Sequence, residues 1–151
     1  MKIKPLILPT IAVLLGAMLN GVATAQSLGL YEQEVDNQLQ QAIKTSKEEG
    51  YQLSFPRNIA QLARGAEAPK TVLLYPNREY SFVAVCDRNC SQVKLMLKDM
   101  DGNKIISSPS NDAVDVLNFK PSAEGRYQVL VKMEKCSTQS CYFGLGIFDK
   151  G

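Results

Sequence analysis

Apolar side chains recur at every second position in short stretches from residue 71 to the end of the chain, and turn-forming residues separate these stretches. In one stretch Val93, Leu95 and Leu97 alternate with two lysines and a methionine. A period of two is that of a β-strand with one buried face. About seven such stretches, with turns about every 8 to 12 residues, are typical of an all-β sandwich. We therefore predict a mainly β chain that forms an antiparallel β-sandwich or jelly-roll-like domain.

The turn chemistry between the apolar stretches sets the boundaries of the predicted strands. The segment Asp99-Met-Asp-Gly-Asn103 predicts a hairpin turn in which Gly102 takes a positive φ. Residues 51–70 are less regular, because Phe55-Pro56-Arg57 breaks any element that precedes it, and we predict strand and loop there. The predicted strands are Thr71–Tyr75, Glu79–Cys86, Gln92–Lys98, Lys104–Ser107, Val114–Phe119, Arg126–Glu134 and Tyr142–Phe148.

One amphipathic helix is predicted before the strands. Tyr31, Val35 and Leu39 recur at helical spacing among Glu, Gln and Asp residues. Ser27 is a candidate N-cap and Gly50 a candidate C′ residue. The apolar stripe is narrow, so the helix either packs on its own domain, pairs with a partner helix or forms a stalk, and packing is the simplest interpretation.

The last predicted strand offers a place where such a helix could pack. Tyr142 and Phe148 lie on one face of this strand, and Gly144 and Gly146 lie between them on the same face. Two glycines leave this face open to a closely packed helix or to a ligand. We expect the helix there.

The N-terminus has the pattern of a cleavable secretory signal peptide. Lys2 and Lys4 form a short basic region, an apolar region extends from about Leu6 to Leu19, and Ala23-Thr24-Ala25 matches a signal peptidase site. The apolar run is shorter than the ~20 residues of a membrane-spanning helix, so no membrane span is expected after cleavage. We therefore expect a signal peptide (1–25), a helix (26–50) and a sandwich domain (51–151), and we expect the protein in the periplasm or outside the cell.

Removal of the signal peptide changes the charge balance. It removes two of the 17 basic residues and none of the 15 acidic residues, which leaves 15 of each. A neutral mature chain gives no reason to expect a nucleic acid or an anionic membrane surface as partner.

All four cysteines, Cys86, Cys90, Cys136 and Cys141, lie in the mature part. An even number of cysteines in an exported chain predicts two disulfides that staple the sandwich domain. The alternative is a four-thiolate zinc site, which an oxidising compartment and the C-x3-C and C-x4-C spacings disfavour. Three disulfide pairings are possible, and we favour the local ones, Cys86 with Cys90 and Cys136 with Cys141.

The positions of the cysteines follow from the strand count. If every connection reverses the chain direction, alternate loops lie at the same end of the sandwich. The Cys86–Cys90, Ser108–Asp112 and Cys136–Cys141 loops then share one end, which we name the disulfide pole. The candidate binding residues at this pole are Asp87, Arg88, Asn89, Asn111, Asp112 and Gln139.

The stretch YSFVAVCDRNCSQVKLMLKDMDGN, followed by LNFKPSAEGRYQVLVKMEKCSTQSCYFGLGIF, resembles bacterial pre-peptidase C-terminal domains and related small exported proteins. The resemblance extends from about Gly50 to Phe148. It implies a jelly-roll-like sandwich of the kind appended to secreted hydrolases, with carbohydrate, matrix or calcium contacts. Gln92-Val93-Lys94 replaces acidic residues often found after the cysteine pair, so the resemblance carries over the fold and not a calcium site.

Catalytic chemistry is poorly represented in this chain. It contains no histidine, so Ser-His-Asp and Cys-His machinery cannot be built from it. A carboxylate pair could act as a glycosidase, but a sandwich of about 100 residues rarely has room for the required cleft. Asp99 and Asp101 are weak calcium candidates, because turn chemistry alone explains D-x-D-G-N. We expect no enzyme activity, no cofactor and no metal.

The sequence therefore favours an exported, non-catalytic binding module that contacts a protein or glycan of the cell envelope. The alternative is a structural or assembly factor of the envelope that acts through the N-terminal helix. A calcium-binding accessory domain and a small hydrolase are less favoured.

Overall fold

The computed structural model describes residues 28–109 and 111–151, and it confirms a mainly β chain preceded by one helix. The predicted signal peptide and the candidate N-cap Ser27 lie outside these residues. Within them the elements are α1 (Leu30–Glu48), β1 (Gln52–Leu53), β2 (Asn58–Ala63), β3 (Glu67–Leu74), β4 (Glu79–Cys86), β5 (Cys90–Asp99), β6 (Lys104–Ser107), β7 (Val114–Phe119), β8 (Gly125–Cys136) and β9 (Ser140–Lys150).

The strands form two antiparallel sheets that face each other. In the first sheet the order is β1-β9-β4-β7, and β2 pairs with the same edge of β9 as β1 does. The second sheet has the order β3-β8-β5-β6. Strands β2 to β9, which alternate between the sheets except at the β5–β6 hairpin, have the arrangement of a jelly roll.

The core lies between the two sheets and confirms the predicted period-two pattern. Every second side chain of the central strands points inward and is buried, as expected for sheets with one face on the core. The inward side chains include Tyr80, Phe82 and Ala84 of β4, Val93, Leu95 and Leu97 of β5, Val129, Val131 and Met133 of β8, and Phe143, Leu145 and Ile147 of β9.

Helix α1 packs on the outer face of the first sheet, as the glycines of β9 predicted. Val35 and Leu39 are fully buried there against Val83, Val85 and Phe148. The N-cap of the helix is Gly29 rather than the predicted Ser27, and a glycine has no side chain that could cap the first turn. At its other end Gly50 has φ +86°, which confirms it as the C′ residue.

The structure corrects the start of the strand that was predicted over residues 71–75. Strand β3 begins at Glu67, four residues before the predicted start, and includes Pro69. Because β3 is the edge of its sheet, a proline there costs no hydrogen bond with a second neighbour. Strands β1 and β2 confirm the strand and loop predicted for residues 51–70, and Phe55-Pro56-Arg57 lies between them.

Candidate functional site

The two disulfides lie side by side at one end of the sandwich. Cys86 bonds to Cys90 and Cys136 bonds to Cys141, with Cα–Cα distances of 5.9 Å and 6.1 Å. This confirms the local pairing and excludes a four-thiolate zinc site. Cys90 is the register partner of Cys136, so the two rings are neighbours, as the strand count predicted. Two short rings on adjacent strand ends give this pole a fixed shape.

The Ser108–Asp112 loop reaches the same pole on another flank. The Asp112 carbonyl accepts the backbone N–H of Val93 at 3.0 Å, and Asn111 Oδ1 accepts a hydrogen bond from Gln92 Nε2 at 2.9 Å. These contacts place Asn111 and Asp112 beside the start of β5. Asn111 and Asp112 do not line the pocket that the two cysteine loops form with α1 and β2.

Asp87 occupies a different role from the one predicted for it. Its side chain was expected to face a ligand, but the residue is 2% exposed. Asp87 Oδ1 accepts the Asn89 backbone N–H at 2.9 Å, and Oδ2 accepts the Tyr142 backbone N–H at 2.7 Å. A buried carboxylate needs such donors. Asp87 therefore anchors the Cys86–Cys90 loop to β9 and positions its neighbours.

Arg88 points away from the loop tip and toward the helix. Its Nε donates to Glu34 Oε2 at 3.1 Å. This hydrogen bond and the charge of Glu34 raise the pKa of the Arg88 guanidinium. The side chain lines a separate shallow hollow with Leu30 and Asn37 of α1, so the structure does not bring Arg88 together with Asn89 and Gln139.

A second concavity at the disulfide pole has a volume of about 380 Å³. Four segments form it: the first turn of α1, strand β2, the Cys86–Cys90 loop, and the Cys136–Cys141 loop with the start of β9. We name it the tyrosine pocket, and its lining residues are Tyr31, Gln61, Asp87, Asn89, Thr138, Gln139, Ser140 and Tyr142.

Hydrogen bonds hold the walls of the tyrosine pocket in place. Gln61 Nε2 donates to Ser140 Oγ at 2.6 Å, and the Thr138 hydroxyl donates to the Ser140 carbonyl at 2.7 Å. The backbone N–H of Arg64 donates to the Gln139 carbonyl at 3.0 Å. Strand β2 and the second disulfide therefore fix the loop that presents the Gln139 side chain.

Tyr142 connects the pocket to the helix. The hydrogen bond between its phenol and Glu32, then burial, then the negative charges of Glu32 and Asp87 raise the pKa of Tyr142. The phenol consequently stays protonated at neutral pH. Of the described residues that line the pocket none is basic, and its exposed polar groups are amides and hydroxyls. Such a lining suits a ligand that is uncharged and rich in hydrogen-bonding groups.

The weak calcium candidates lie at the opposite pole, in the β5–β6 turn. Asp99 Oδ1 accepts the backbone N–H groups of Asp101 at 3.0 Å and of Asn103 at 2.8 Å, and Oδ2 accepts Asn103 Nδ2 at 3.1 Å. The hydrogen bonds from Asn103 and Asp101 lower the pKa of the Asp99 carboxyl. Gly102 has φ +85°, as predicted. Over residues 28–109 and 111–151 no group of three or more His, Cys, Asp or Glu side chains is arranged to hold a metal.

Sequence reasoning missed two walls of the tyrosine pocket. Tyr31 and Gln61 reach the disulfide pole because α1 and β2 both run along β9 to its beginning. The glycines of β9 indicated where the helix packs, but the strand pairing that brings Gln61 beside Tyr142 had no local signal. In the sequence, Tyr142 stands out only as a member of the open face of the last strand.

Comparisons with other proteins add no identity. No protein-family model matches this chain, and a search of curated proteins finds no similar sequence. In the part of the chain that the structure describes, no helix has the length and apolar character needed to cross a membrane.

Proposed function

We propose that this protein is an exported, non-catalytic binding module that holds a glycan of the cell envelope in the tyrosine pocket. The observation that carries the proposal is the composition of the pocket wall. Tyr31 and Tyr142 offer aromatic surface, and amide and hydroxyl groups surround them without a basic residue. Sugar rings combine apolar faces with many neutral hydrogen-bonding groups, so they complement such a wall.

The signal-peptide pattern of residues 1–25 supports export, and so do the two disulfides, which persist in oxidising compartments. The resemblance to pre-peptidase C-terminal domains also favours carbohydrate contacts outside the cytoplasm. Intact-mass measurement of the protein isolated from its host tests this part. We expect a chain that begins at Gln26 and gains four hydrogens on reduction, one for each cysteine. A chain that retains residues 1–25 would contradict cleavage.

A binding role without catalysis is supported by the groups that the pocket contains. The chain has no histidine, and Asp87, the carboxylate of the pocket lining, uses both oxygens to accept backbone N–H groups. A general base needs a free lone pair directed at the substrate. Asp87 has its oxygens turned into the loop instead.

Glycan binding can be tested with two probes, purified peptidoglycan sacculi and an array of soluble oligosaccharides. We expect the mature protein to bind at least one glycan, and we expect Tyr31→Ala and Gln139→Ala to weaken that binding at least ~10-fold. The matched control is Tyr75→Ala, because Tyr75 is 40% exposed at the opposite pole and Tyr31 is 38% exposed.

Two results would contradict the proposal. One is the absence of any glycan bound by the mature protein, and the other is binding that Tyr31→Ala and Gln139→Ala leave unchanged. The other ligand that the pocket would suit is a polar protein. In that case the wild type captures envelope proteins rather than glycans, and each of the two substitutions abolishes this capture.

The alternative role, envelope assembly through α1, has weaker support. Val35 and Leu39, the centre of the apolar stripe, are buried against the protein's own sheet. Deleting the helix would expose Val83, Val85 and Phe148, so a deletion would not test the role cleanly. Gln33→Ala and Gln40→Ala change the exposed side of α1 without this damage, and loss of assembly in these variants would favour the alternative.

A further inference from the structure

Strand β7 is the last strand of the first sheet, and the backbone groups that it turns outward can be assigned from the register. Asp87 donates its backbone N–H to the Tyr142 carbonyl at 3.0 Å, in line with the β4–β9 register. Hydrogen-bonded pairs recur at every second residue of an antiparallel ladder. Val83 therefore bonds to β9, and its neighbour Phe82 bonds to β7.

The same alternation applies to β7. Phe82 is the register partner of Leu117, so Leu117 directs its N–H and C=O toward β4. Val116 and Asn118 direct theirs away from β4, to the outer edge of the sheet. The Val116 side chain is 49% exposed and lies on the outer face of the sheet, the face on which α1 packs.

A groove lies between this edge and the helix, because α1 packs across β9 and β4 and leaves β7 uncovered. The groove has a volume of about 420 Å³. Its floor is the outer face of β4 and β7, which is apolar apart from one serine, and its helix wall carries neutral amides and hydroxyls with one carboxylate, Glu49, at the end remote from the disulfide pole. The floor residues are Ser81, Val83, Val85, Val114 and Val116, and the other wall residues are Gln38, Gln41, Ala42, Thr45 and Ser46.

The other sheet edges carry features that discourage pairing with another chain, and β7 differs from them. Strand β3 contains Pro69, strand β6 has four residues, and Phe55-Pro56-Arg57 interrupts the β1–β2 edge. Short edges and prolines are common protections of this kind. The charged residue within β7, Asp115, is buried and its carboxylate accepts the Leu95 N–H of the second sheet, so its charge does not face the outer edge beside Val116 and Asn118.

We propose that the β7 edge and the groove together bind an extended peptide segment of a partner protein. The segment pairs antiparallel with β7 through Val116 and Asn118 and directs every second side chain toward α1. The outward N–H and C=O groups of Val116 and Asn118 can pair with a polypeptide, because an extended polypeptide offers alternating N–H and C=O groups that complement them. This site is separate from the tyrosine pocket and does not depend on the proposed glycan.

The residues that line the groove indicate which side chains the bound segment carries. The valines of the floor favour large aliphatic residues at alternate positions of the bound segment. Glu49 favours a basic residue at the N-terminal end of the segment, because this end lies beside the end of β7 in an antiparallel pair. A second copy of β7 would supply only Val114, Val116 and Asn118 to the groove. It has no basic side chain to place beside Glu49, so we commit to a partner peptide.

The test uses the mature protein and the peptide Lys-Thr-Leu-Thr-Leu-Thr-amide, which carries fluorescein on its N-terminal amine and keeps the lysine side chain free, in a fluorescence anisotropy titration. Lysine and both leucines lie on one face of this peptide when it is extended. We expect a Kd below about 1 mM, and we expect Val116→Lys to weaken binding at least ~10-fold. The control Leu73→Lys, at a 39% exposed position of the protected edge β3, should leave the Kd unchanged.

Two further measurements separate strand pairing from apolar contact. A peptide with N-methylated leucines lacks the donors that face β7, so its binding should be lost. Hydrogen exchange at the Val116 and Asn118 amides should slow when the unmodified peptide binds.

Absence of binding at about 1 mM peptide would overturn the proposal, as would equal binding of the N-methylated peptide. A concentration-dependent dimer that Val116→Lys dissolves would also overturn it and would assign the groove to a second copy.

Discussion

Leu39 of α1 lies directly over Gly144 of β9. A β-carbon added at Gly144 would come 2.7 Å from Leu39 Cδ1 and 2.7 Å from Val35 Cγ1. Distances this short force atoms to move, and both helix side chains are fully buried and have little room to do so. The absence of a side chain at Gly144 is therefore what lets α1 approach the sheet and bring Tyr31 to the tyrosine pocket.

We expect Gly144→Ala to lower the free energy of unfolding by about 1–3 kcal/mol, through overpacking under the helix. Urea denaturation followed by circular dichroism measures the change. Gly125→Ala is the control, because a β-carbon there would lie 3.6 Å from the nearest Tyr127 atom, which is ordinary contact. Equal stability of the two variants would show that α1 does not rest on β9 as described.

Asp115 of β7 connects the edge of the first sheet to the second sheet. This residue is 1% exposed, and its carboxylate accepts the Leu95 backbone N–H at 2.7 Å and the Ser108 hydroxyl. Asp115→Ala leaves a buried N–H without an acceptor, so we expect a loss of about 2–4 kcal/mol in the free energy of unfolding. Asp115→Asn keeps one acceptor and should lose less. Asp101→Ala, at an exposed turn, should change stability by less than ~0.5 kcal/mol in the same urea titration.

The sheets were predictable from the sequence because their signal is local. Val93, Leu95 and Leu97 alternate with polar neighbours, and a period of two specifies a strand and its buried face together. The common pole of the cysteines followed from the number of chain reversals alone. The start of β3 did not follow, since Pro69 is acceptable only at a sheet edge and edge position is a property of the whole fold.

The candidate site was less predictable because its walls come from distant segments. Asp87 lies in a short loop, where the sequence predicts an exposed side chain. In the structure it is buried, and its carboxylate accepts the backbone N–H of Tyr142. Tyr31 and Gln61 belong to the pocket only through the packing of α1 and the pairing of β2 with β9. Such contacts join residues far apart in the chain and leave no periodic pattern.

The two disulfides should contribute similarly to stability, and the Cys136–Cys141 ring should also support glycan binding. Each closes a short ring, with sequence separations of 4 and 5, for which the chain-entropy model gives about 2 kcal/mol. We expect Cys136→Ala with Cys141→Ala to lower stability by about that amount and also to weaken glycan binding, since this ring presents Gln139. Thermal unfolding and the glycan assay measure the two effects. Undiminished glycan binding would show that the ring does not shape the pocket.

Tyr51 makes the stability of this fold sensitive to alkaline pH. The residue is buried, its hydroxyl donates to Glu79 Oε1 at 2.7 Å, and Lys150 Nζ lies 4.3 Å from its ring centroid. Burial first, then the hydrogen bond and charge of Glu79 and the charge of Glu49, raise the pKa of Tyr51 to about 12 from the ordinary 10.0. Between these values the unfolded chain loses the phenol proton and the folded chain keeps it, so stability falls as pH rises.

The contribution of Tyr51 is thus complete below pH 10 and is lost as the pH approaches 12. We expect it to amount to about 1–2 kcal/mol. Urea titrations at several pH values should show a steeper alkaline fall for the wild type than for Tyr51→Phe, which has no phenol to titrate. All four cysteines are in disulfides, so no free thiol initiates exchange during a brief exposure to alkali. Identical slopes for the two proteins would show that the Tyr51 proton is not held by the fold.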